Sequence, residues 1–414
     1  MSFNKLLHTL NCLSAYLLVI WVCLPWFGQN TGLILGFLLA ATWTSTAFLI
    51  HPPKKLSVDA AFMILFLVCV SCSLILRGRV YGEYAFYYAT SMMALFFLPY
   101  YMMRFYVKGE QTKFLGKLAA CAIFCMAIGA FMSSYYTYID PNIMKTISQA
   151  KDTELVEYRK LGIGSFGFVY MLVFCVISLF GALRNKALGN KRSTLLVIAF
   201  LIVGIKCIVD STFTTALLLT VIGVLLVLIS DKNNRKYNHI AYISLFILFV
   251  FISQLLGNFL ANVTLKSLDV TIRLNEIGNL LLGEETGENV GSRWDYMQKS
   301  LNCFWEYPLF GYNMQAKPQI TMGGHSEWVD LFAVYGLVGG LPLLATVIYK
   351  LNETKKAVQK KMNYPFFGVL LMIFTFYGFV DPFLRLYHIG FVMFLIIPGI
   401  ACLPQAYEKK ERVI

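Results

Sequence analysis

Charged residues are scarce in this sequence. Asp, Glu, Lys and Arg make up 14% of its 414 residues, whereas soluble domains usually carry about 25%. Hydrophobic residues reach 58%, so most side chains must face lipid or other helices rather than water. This balance excludes an ordinary soluble fold and predicts an all-α integral membrane protein.

Motifs for nucleotide, zinc and disulfide chemistry are also missing. There is no Walker-type phosphate loop, no G-x-G-x-x-G after a strand and no paired C-x-x-C at zinc spacing. Nine of the ten cysteines fall inside apolar runs, where Cys behaves as a small hydrophobe, and only Cys303 is predicted to lie in a water-exposed loop. The D-x-E formed by Asp152 and Glu154 is interpreted as the polar face of a short helix. No metal and no cofactor is therefore expected.

What the sequence does contain is a series of apolar runs that approach the roughly 20 residues needed to cross a bilayer. The first is interpreted as a retained helix, since no small-residue cleavage site follows it. A re-entrant turn is the alternative at the tight joints near 28–31 and 210–212. Twelve spans are predicted, at about 12–28, 31–50, 56–76, 86–103, 114–132, 160–182, 193–209, 212–230, 239–257, 325–349, 364–381 and 386–403.

Basic residues mark one face of the predicted bundle. With the N-terminus in the cytoplasm, alternate short loops and the tail hold 22 of the 35 Lys and Arg residues. Cytoplasmic loops carry such an excess, so both termini are predicted to be cytoplasmic. The net charge of +13 is then explained by topology and by contact with anionic lipid headgroups, and nucleic acid is not an expected partner.

Two segments on the opposite, outer face are too long to be simple connectors: 133–160 and 258–324. Loops of more than about 15 residues are usually functional or disordered. We therefore divide the chain into a bundle of about nine helices at 1–257, an outer cap at 258–324, and C-terminal helices with a cytoplasmic tail at 325–414.

The most informative stretch runs from Gly291 to Gly340. Arg293 opens an amphipathic segment, a Pro-containing turn follows, and Gly323 and Gly324 lead to His325 at the mouth of an apolar helix. Three polar residues lie in the first turns of that helix: Ser326, Glu327 and Asp330. Helix capping alone could explain them without a catalytic role, because Ser is a good helix N-cap and acids favour the N-terminal end of the helix dipole.

The order Arg, Trp, P-L-F-G, G-H-S and Y-G-L-x-G across this stretch resembles the C-terminal signature of the O-antigen ligase/polymerase superfamily. Its members are polytopic glycosyltransferases that act on undecaprenyl-diphosphate-linked glycans at the periplasmic face of the bacterial inner membrane. The resemblance implies a GT-C-like architecture and a periplasmic active site. Implied partners are the lipid-linked glycan donor and acceptor and membrane lipids, with a chain-length regulator as a further candidate.

A second segment, from Tyr158 to Leu172, resembles the family's Arg-then-glycine element and contributes Arg159. One position departs from the family pattern: Phe213 stands where an Arg is expected at the outer end of a helix pair. The candidates to compensate for it are Lys206, Asp210, Arg77 and Arg79.

The implied reaction is attack by a sugar hydroxyl on the anomeric carbon of a sugar joined to a lipid diphosphate. Arginine supplies fixed charge and paired donors to phosphate without a metal, which suits Arg293 and Arg159. His325 has the chemistry of a general base, and Glu327 or Asp330 is expected to orient or replace it. A helix N-terminus near Ser326 also favours developing negative charge.

The leading functional interpretation is a polymerase that joins lipid-linked repeat units. A ligase that transfers the glycan to lipid A core is the nearest alternative, and the His-Ser-Glu context of His325 favours the polymerase. A lipid-glycan flippase is more distant, because ionisable residues concentrate in outer loops rather than along the spans.

Overall fold

The structure is a computed structural model that describes residues 3–52, 57–77, 83–149, 160–185, 188, 191–230, 262, 271, 275, 278, 288–312, 322–361 and 364–404. Within these ranges the regular secondary structure is helical, with no strand. In the described part of the chain, six helices are long and apolar enough to cross a membrane, and three shorter ones are strongly apolar. These are the features of an integral membrane protein.

Eleven of the twelve predicted spans coincide with helices, and the twelfth, 239–257, lies outside the described residues. Two further helices lie in the predicted outer segments. In chain order the helices are α1 (Phe3–Cys23), α2 (Pro25–Ile50), α3 (Val58–Arg77), α4 (Glu83–Lys108), α5 (Thr112–Ile139), α6 (Ile143–Gln149), α7 (Phe166–Arg184), α8 (Lys191–Asp210), α9 (Thr214–Ile229), α10 (Glu288–Glu306), α11 (Glu327–Lys361), α12 (Phe367–Val380) and α13 (Tyr387–Ala401), the last with a π-helical middle.

Several helix ends differ from the predicted ones. α1 ends before Leu24, because Pro25 lacks an N–H and suits the first turn of a new helix, and a second break at Gly32 lies one residue beyond the predicted joint at 28–31. α5 continues to Ile139, and α6 follows it, so the predicted loop 133–160 is partly helical. α11 continues to Lys361, well beyond the predicted end at 349.

α7 is the central helix of the bundle. Fifteen of its 19 residues are buried, and it packs against α8, α9, α12 and α13. A helix that is apolar on all sides is stable only when neighbours cover it. The strongly apolar sequence between Phe166 and Arg184 therefore explains its place in the core.

Two helices are broken at a glycine with positive φ, Gly32 in α2 and Gly336 in α11. At the second break the turn that follows α10 packs backbone to backbone against α11. The Leu337 N–H donates to Pro308 O at 2.8 Å and the Val338 N–H donates to Leu309 O at 2.9 Å. A Cβ at Gly336 would lie 2.4 Å from the Leu309 backbone, so this packing requires glycine.

At the cytoplasmic ends, as the charge distribution predicts them, buried polar side chains join helices to each other. The Asn11 amide donates to Thr46 Oγ1 at 3.0 Å and accepts from the Tyr106 hydroxyl at 2.9 Å. Lys350, predicted to lie in a cytoplasmic segment, is instead fully buried. Its ammonium donates to the Tyr101 hydroxyl at 2.9 Å and lies 4.2 Å from the Tyr100 ring centroid.

Candidate functional site

The opposite ends of the helices are called the outer end, following the orientation predicted from charge. Long-range hydrogen bonds join the short segments there. The Gln29 amide donates to Ile163 O at 2.7 Å, and the Gly164 N–H donates to Ser133 Oγ at 2.8 Å. These bonds fix the 160–165 segment against α2 and α5, directly before α7 begins.

Asp330, in the first turns of α11, holds the segment Gly323–Ser326 in place. Its carboxylate accepts hydrogen bonds from the Ser326 N–H at 2.9 Å, from the Gly324 N–H at 3.4 Å and from the Ser300 hydroxyl. Ser300 in turn accepts from the Gly323 N–H at 2.9 Å. Because Ser300 lies on α10, this network also fastens α10 to α11.

His325 is the exposed residue of this segment. Its ring stacks on Tyr296 of α10, with centroids 4.7 Å apart and planes 29° apart. Gly323 packs so closely on the Tyr296 backbone that a Cβ there would lie 2.1 Å from Tyr296 O. The outer end therefore presents an imidazole whose two flanking residues donate backbone N–H groups to a buried carboxylate and whose ring stacks on Tyr296.

Ser326 does not cap α11 through its side chain. It is buried, and its hydroxyl has no hydrogen-bond partner among the described residues. Asp330 reaches back to the backbone instead, in the manner of a capping box. The simpler interpretation of these polar residues was thus right in placing a cap here, but wrong in giving it to Ser326.

Glu327 also accepts hydrogen bonds from backbone N–H groups. Its Oε2 accepts from the Phe383 N–H at 2.7 Å and from the Leu384 N–H at 2.9 Å. Both donors lie in the segment that joins α12 to α13. The carboxylate predicted to assist His325 therefore holds a second segment of the outer end.

Two residues in that joint were not identified from the sequence. Asp381 is 3% exposed and accepts a 3.0 Å hydrogen bond from the Tyr170 hydroxyl of α7. Arg385 is exposed and lies within electrostatic range of Glu327. The available signal was their position: two charged residues in a joint of only six residues between apolar helices.

The position of the missing arginine is filled by aromatic packing. Phe213 precedes α9 and makes an edge contact with Phe166, with ring centroids 5.4 Å apart. The nearby Asp210, a predicted supporting residue, is paired with Lys206 at 2.5 Å. These two candidates for compensation therefore engage each other.

The predicted arginines are only partly located. Arg293 lies in α10 and Arg77 at the end of α3, while their side chains lie outside the described residues. The same holds for the whole of Arg159 and Arg79, and for the D-x-E at 152–154. Their roles stay predictions.

Cys303 contradicts its predicted exposure. It is fully buried between α10 and α11, with its Sγ 4.0 Å from Ala333 O. α10 is amphipathic, and Cys303 lies on the face that packs against α11.

Comparison with known families tests the resemblance directly. Residues 198–344 match the family model described as O-antigen ligase. The matched region runs from within α8 through α9 and α10 to the middle of α11, and therefore contains both His325 and the Asp330 network. The match confirms the resemblance to the O-antigen ligase/polymerase superfamily. No curated protein matches the chain.

Proposed function

We propose that this protein is a membrane glycosyltransferase that polymerises undecaprenyl-diphosphate-linked oligosaccharide repeat units at the periplasmic face of the bacterial inner membrane. The observation that carries the proposal is the exposed His325, held by the buried Asp330 within a region that matches the O-antigen ligase family. Basic loops at the opposite face support a periplasmic position for this site.

In the proposed reaction the acceptor sugar hydroxyl attacks the anomeric carbon of the donor sugar. A new carbon–oxygen bond forms and the bond from that carbon to the lipid diphosphate breaks, with the electron pair leaving on the diphosphate. His325 takes the hydroxyl proton as general base. Arg293 and Arg159 stabilise the charge that develops on the leaving group, and no metal is needed for this step.

Transfer to lipid A core is the second candidate, because the matched family model is described as a ligase. Both reactions use the same donor and differ only in the acceptor. The residues that we assign therefore serve either reaction, and the products distinguish the two.

The test is to express His325→Ala and Arg293→Ala in a strain that lacks the protein and to analyse its lipopolysaccharide on a gel. Loss of polymerase activity leaves core with a single repeat unit. Loss of ligase activity leaves core without repeats while polymer accumulates on the lipid carrier. His8→Ala is a matched control, since His8 is an exposed histidine near the predicted cytoplasmic end of α1. Unchanged banding from both site variants at normal expression contradicts the site assignment.

A further inference from the structure

The segment between α12 and α13, Asp381–Leu386, is rigidly held and yet exposes one charged side chain. Asp381, Phe383 and Leu384 are buried, whereas Arg385 is exposed. An exposed arginine on a mobile segment usually has no defined direction. Here the residues on both sides of it are fixed.

Three sets of contacts fix this segment. Glu327 accepts from the N–H groups of Phe383 and Leu384. The Phe383 ring packs against Trp328 and Phe374, with centroids 4.9 and 4.4 Å away. On the far side of Arg385, Tyr387 stacks on Trp21 of α1 at 4.8 Å.

The N–H donors of the Arg385 guanidinium are available to a ligand. Among the residues that the structure describes, none forms a hydrogen bond or a close ion pair with it. It lies within electrostatic range of Glu327 and Tyr335, both on α11. Because Glu327 follows His325 by two residues, Arg385 lies at the same outer end of the bundle as the candidate base.

The joint is also connected to the position where the expected arginine is missing. Phe213 contacts Phe166, whose ring lies 4.6 Å from that of Tyr170, and Tyr170 donates to Asp381 at the start of the segment. Aromatic side chains thus occupy the space beside α9, and Arg385, in the segment before α13, offers a described guanidinium at this end of the molecule.

We infer that Arg385 binds the diphosphate of the lipid-linked donor and that Glu327 is the residue that positions it. A planar guanidinium with paired N–H donors matches phosphate oxygens, and a rigid segment reduces the entropy lost on binding. This inference rests on the proposed function, since it names a residue for the donor of that reaction. A phospholipid headgroup offers similar phosphate chemistry, so the test separates the two sources.

The experiment measures binding of undecaprenyl diphosphate to the purified full-length protein in detergent micelles, with phosphatidylglycerol as a second ligand. The variants are Arg385→Ala, Arg385→Lys and Glu327→Ala. Lys145→Ala is the matched control, because Lys145 is an exposed basic residue of the outer helix α6. Size-exclusion profiles verify that each variant is folded.

Arg385→Ala is expected to weaken undecaprenyl diphosphate binding about tenfold, the scale of one charge-assisted hydrogen bond. Arg385→Lys retains part of the affinity, Glu327→Ala weakens it in parallel, and Lys145→Ala leaves it unchanged. Wild-type affinity in a folded Arg385→Ala variant overturns the inference and leaves the proposed function standing. An equal loss for phosphatidylglycerol assigns Arg385 to lipid headgroups and also overturns it. Failure of the wild-type protein to bind undecaprenyl diphosphate contradicts the proposed function itself.

Discussion

The two ends of the bundle both contain buried polar groups but use them differently. At the outer end, carboxylates accept from the backbone of short segments, as Asp330 does from Gly324 and Ser326 and Glu327 does from Phe383 and Leu384. At the cytoplasmic end, Asn11 binds the side chains of Tyr106 and Thr46 on other helices, in addition to the Trp43 carbonyl.

This difference distinguishes a candidate functional site, at the outer end, from contacts that only hold helices together, at the cytoplasmic end. Backbone held by a carboxylate can project a neighbouring side chain outward, and both His325 and Arg385 are exposed beside such an anchor. Side chains that bind each other across helices use their polar groups in that contact and stay buried, as Lys350 and Tyr106 do. Substitutions at the outer end should therefore impair activity first, and substitutions at the cytoplasmic end should impair stability first.

The largest effect is expected for Asp330→Ala. Loss of the carboxylate leaves the Ser326 N–H, the Gly324 N–H and the Ser300 hydroxyl without their acceptor, which displaces His325. Misplacement of a catalytic group by about 1 Å can cost about 100-fold in rate. Polymer yield per folded protein in the complemented strain measures this effect. Asp330→Asn keeps one acceptor oxygen and should be less impaired; full activity of Asp330→Ala contradicts the proposed role of the network.

Asn11→Ala tests the cytoplasmic end. It removes the acceptor of the Tyr106 hydroxyl and the donor to Thr46, which should lower the free energy of unfolding by about 1–2 kcal/mol. Thermal unfolding of the purified protein in detergent measures the change, and activity per folded molecule should stay at the wild-type level. Asn352→Ala, on an exposed part of α11, is the control. An activity loss without a change in stability would break the comparison.

Lys350→Met should have a smaller effect. Methionine fills much of the same volume among Phe97, Tyr100 and Tyr101, and an apolar side chain avoids the cost of burying an amine away from water. We expect the free energy of unfolding to change by no more than about 1 kcal/mol, with activity unchanged. Lys350→Ala leaves a cavity and should destabilise by about 2 kcal/mol. A strong loss of activity in Lys350→Met would indicate a functional role for this lysine.

The smallest effect is expected for Cys303, whose buried thiol should react only slowly with a labelling reagent in the native protein. Burial raises the pKa of its thiol to about 11, so the reactive thiolate is a minor species near neutral pH. In a variant that retains only this cysteine, maleimide labelling should be slow at neutral pH, should rise only as pH approaches the raised pKa, and should become rapid after unfolding. A single cysteine at the exposed position Asp295 should react at once. Rapid labelling of native Cys303 would show that α10 separates from α11.

Much of the fold could be read from the sequence because hydropathy acts locally. Eleven helices coincide with predicted spans, and Pro25 shows how one residue moves a boundary by several positions. Lys350 shows the limit of that approach. A basic residue near a predicted helix end was assigned to the cytoplasm, whereas three aromatic side chains from α4 surround it.

The candidate site was only half predictable. His325 could be found because the G-H-S motif lies in a short continuous stretch that matches a family pattern. Arg385 and Asp381 could not, since Arg385 lies within electrostatic range of Glu327, 58 positions away in sequence, and Asp381 is bound by Tyr170 of α7, 211 positions away. Cys303 was misplaced for a related reason, as the periodicity of α10 does not show which face is covered.

A multi-helix membrane protein, its basic end and the stretch that resembles the O-antigen ligase/polymerase superfamily could all be predicted from the sequence. Composition, charge and local motif order carry that information without reference to distant contacts. Which polar residues anchor a segment and which are exposed depends on tertiary contacts, because Asp330 is bound by the Ser300 hydroxyl of α10 and Glu327 by backbone N–H groups of the segment between α12 and α13. The same contacts leave His325 and Arg385 exposed at the outer end, where the proposed chemistry requires a base and a cation.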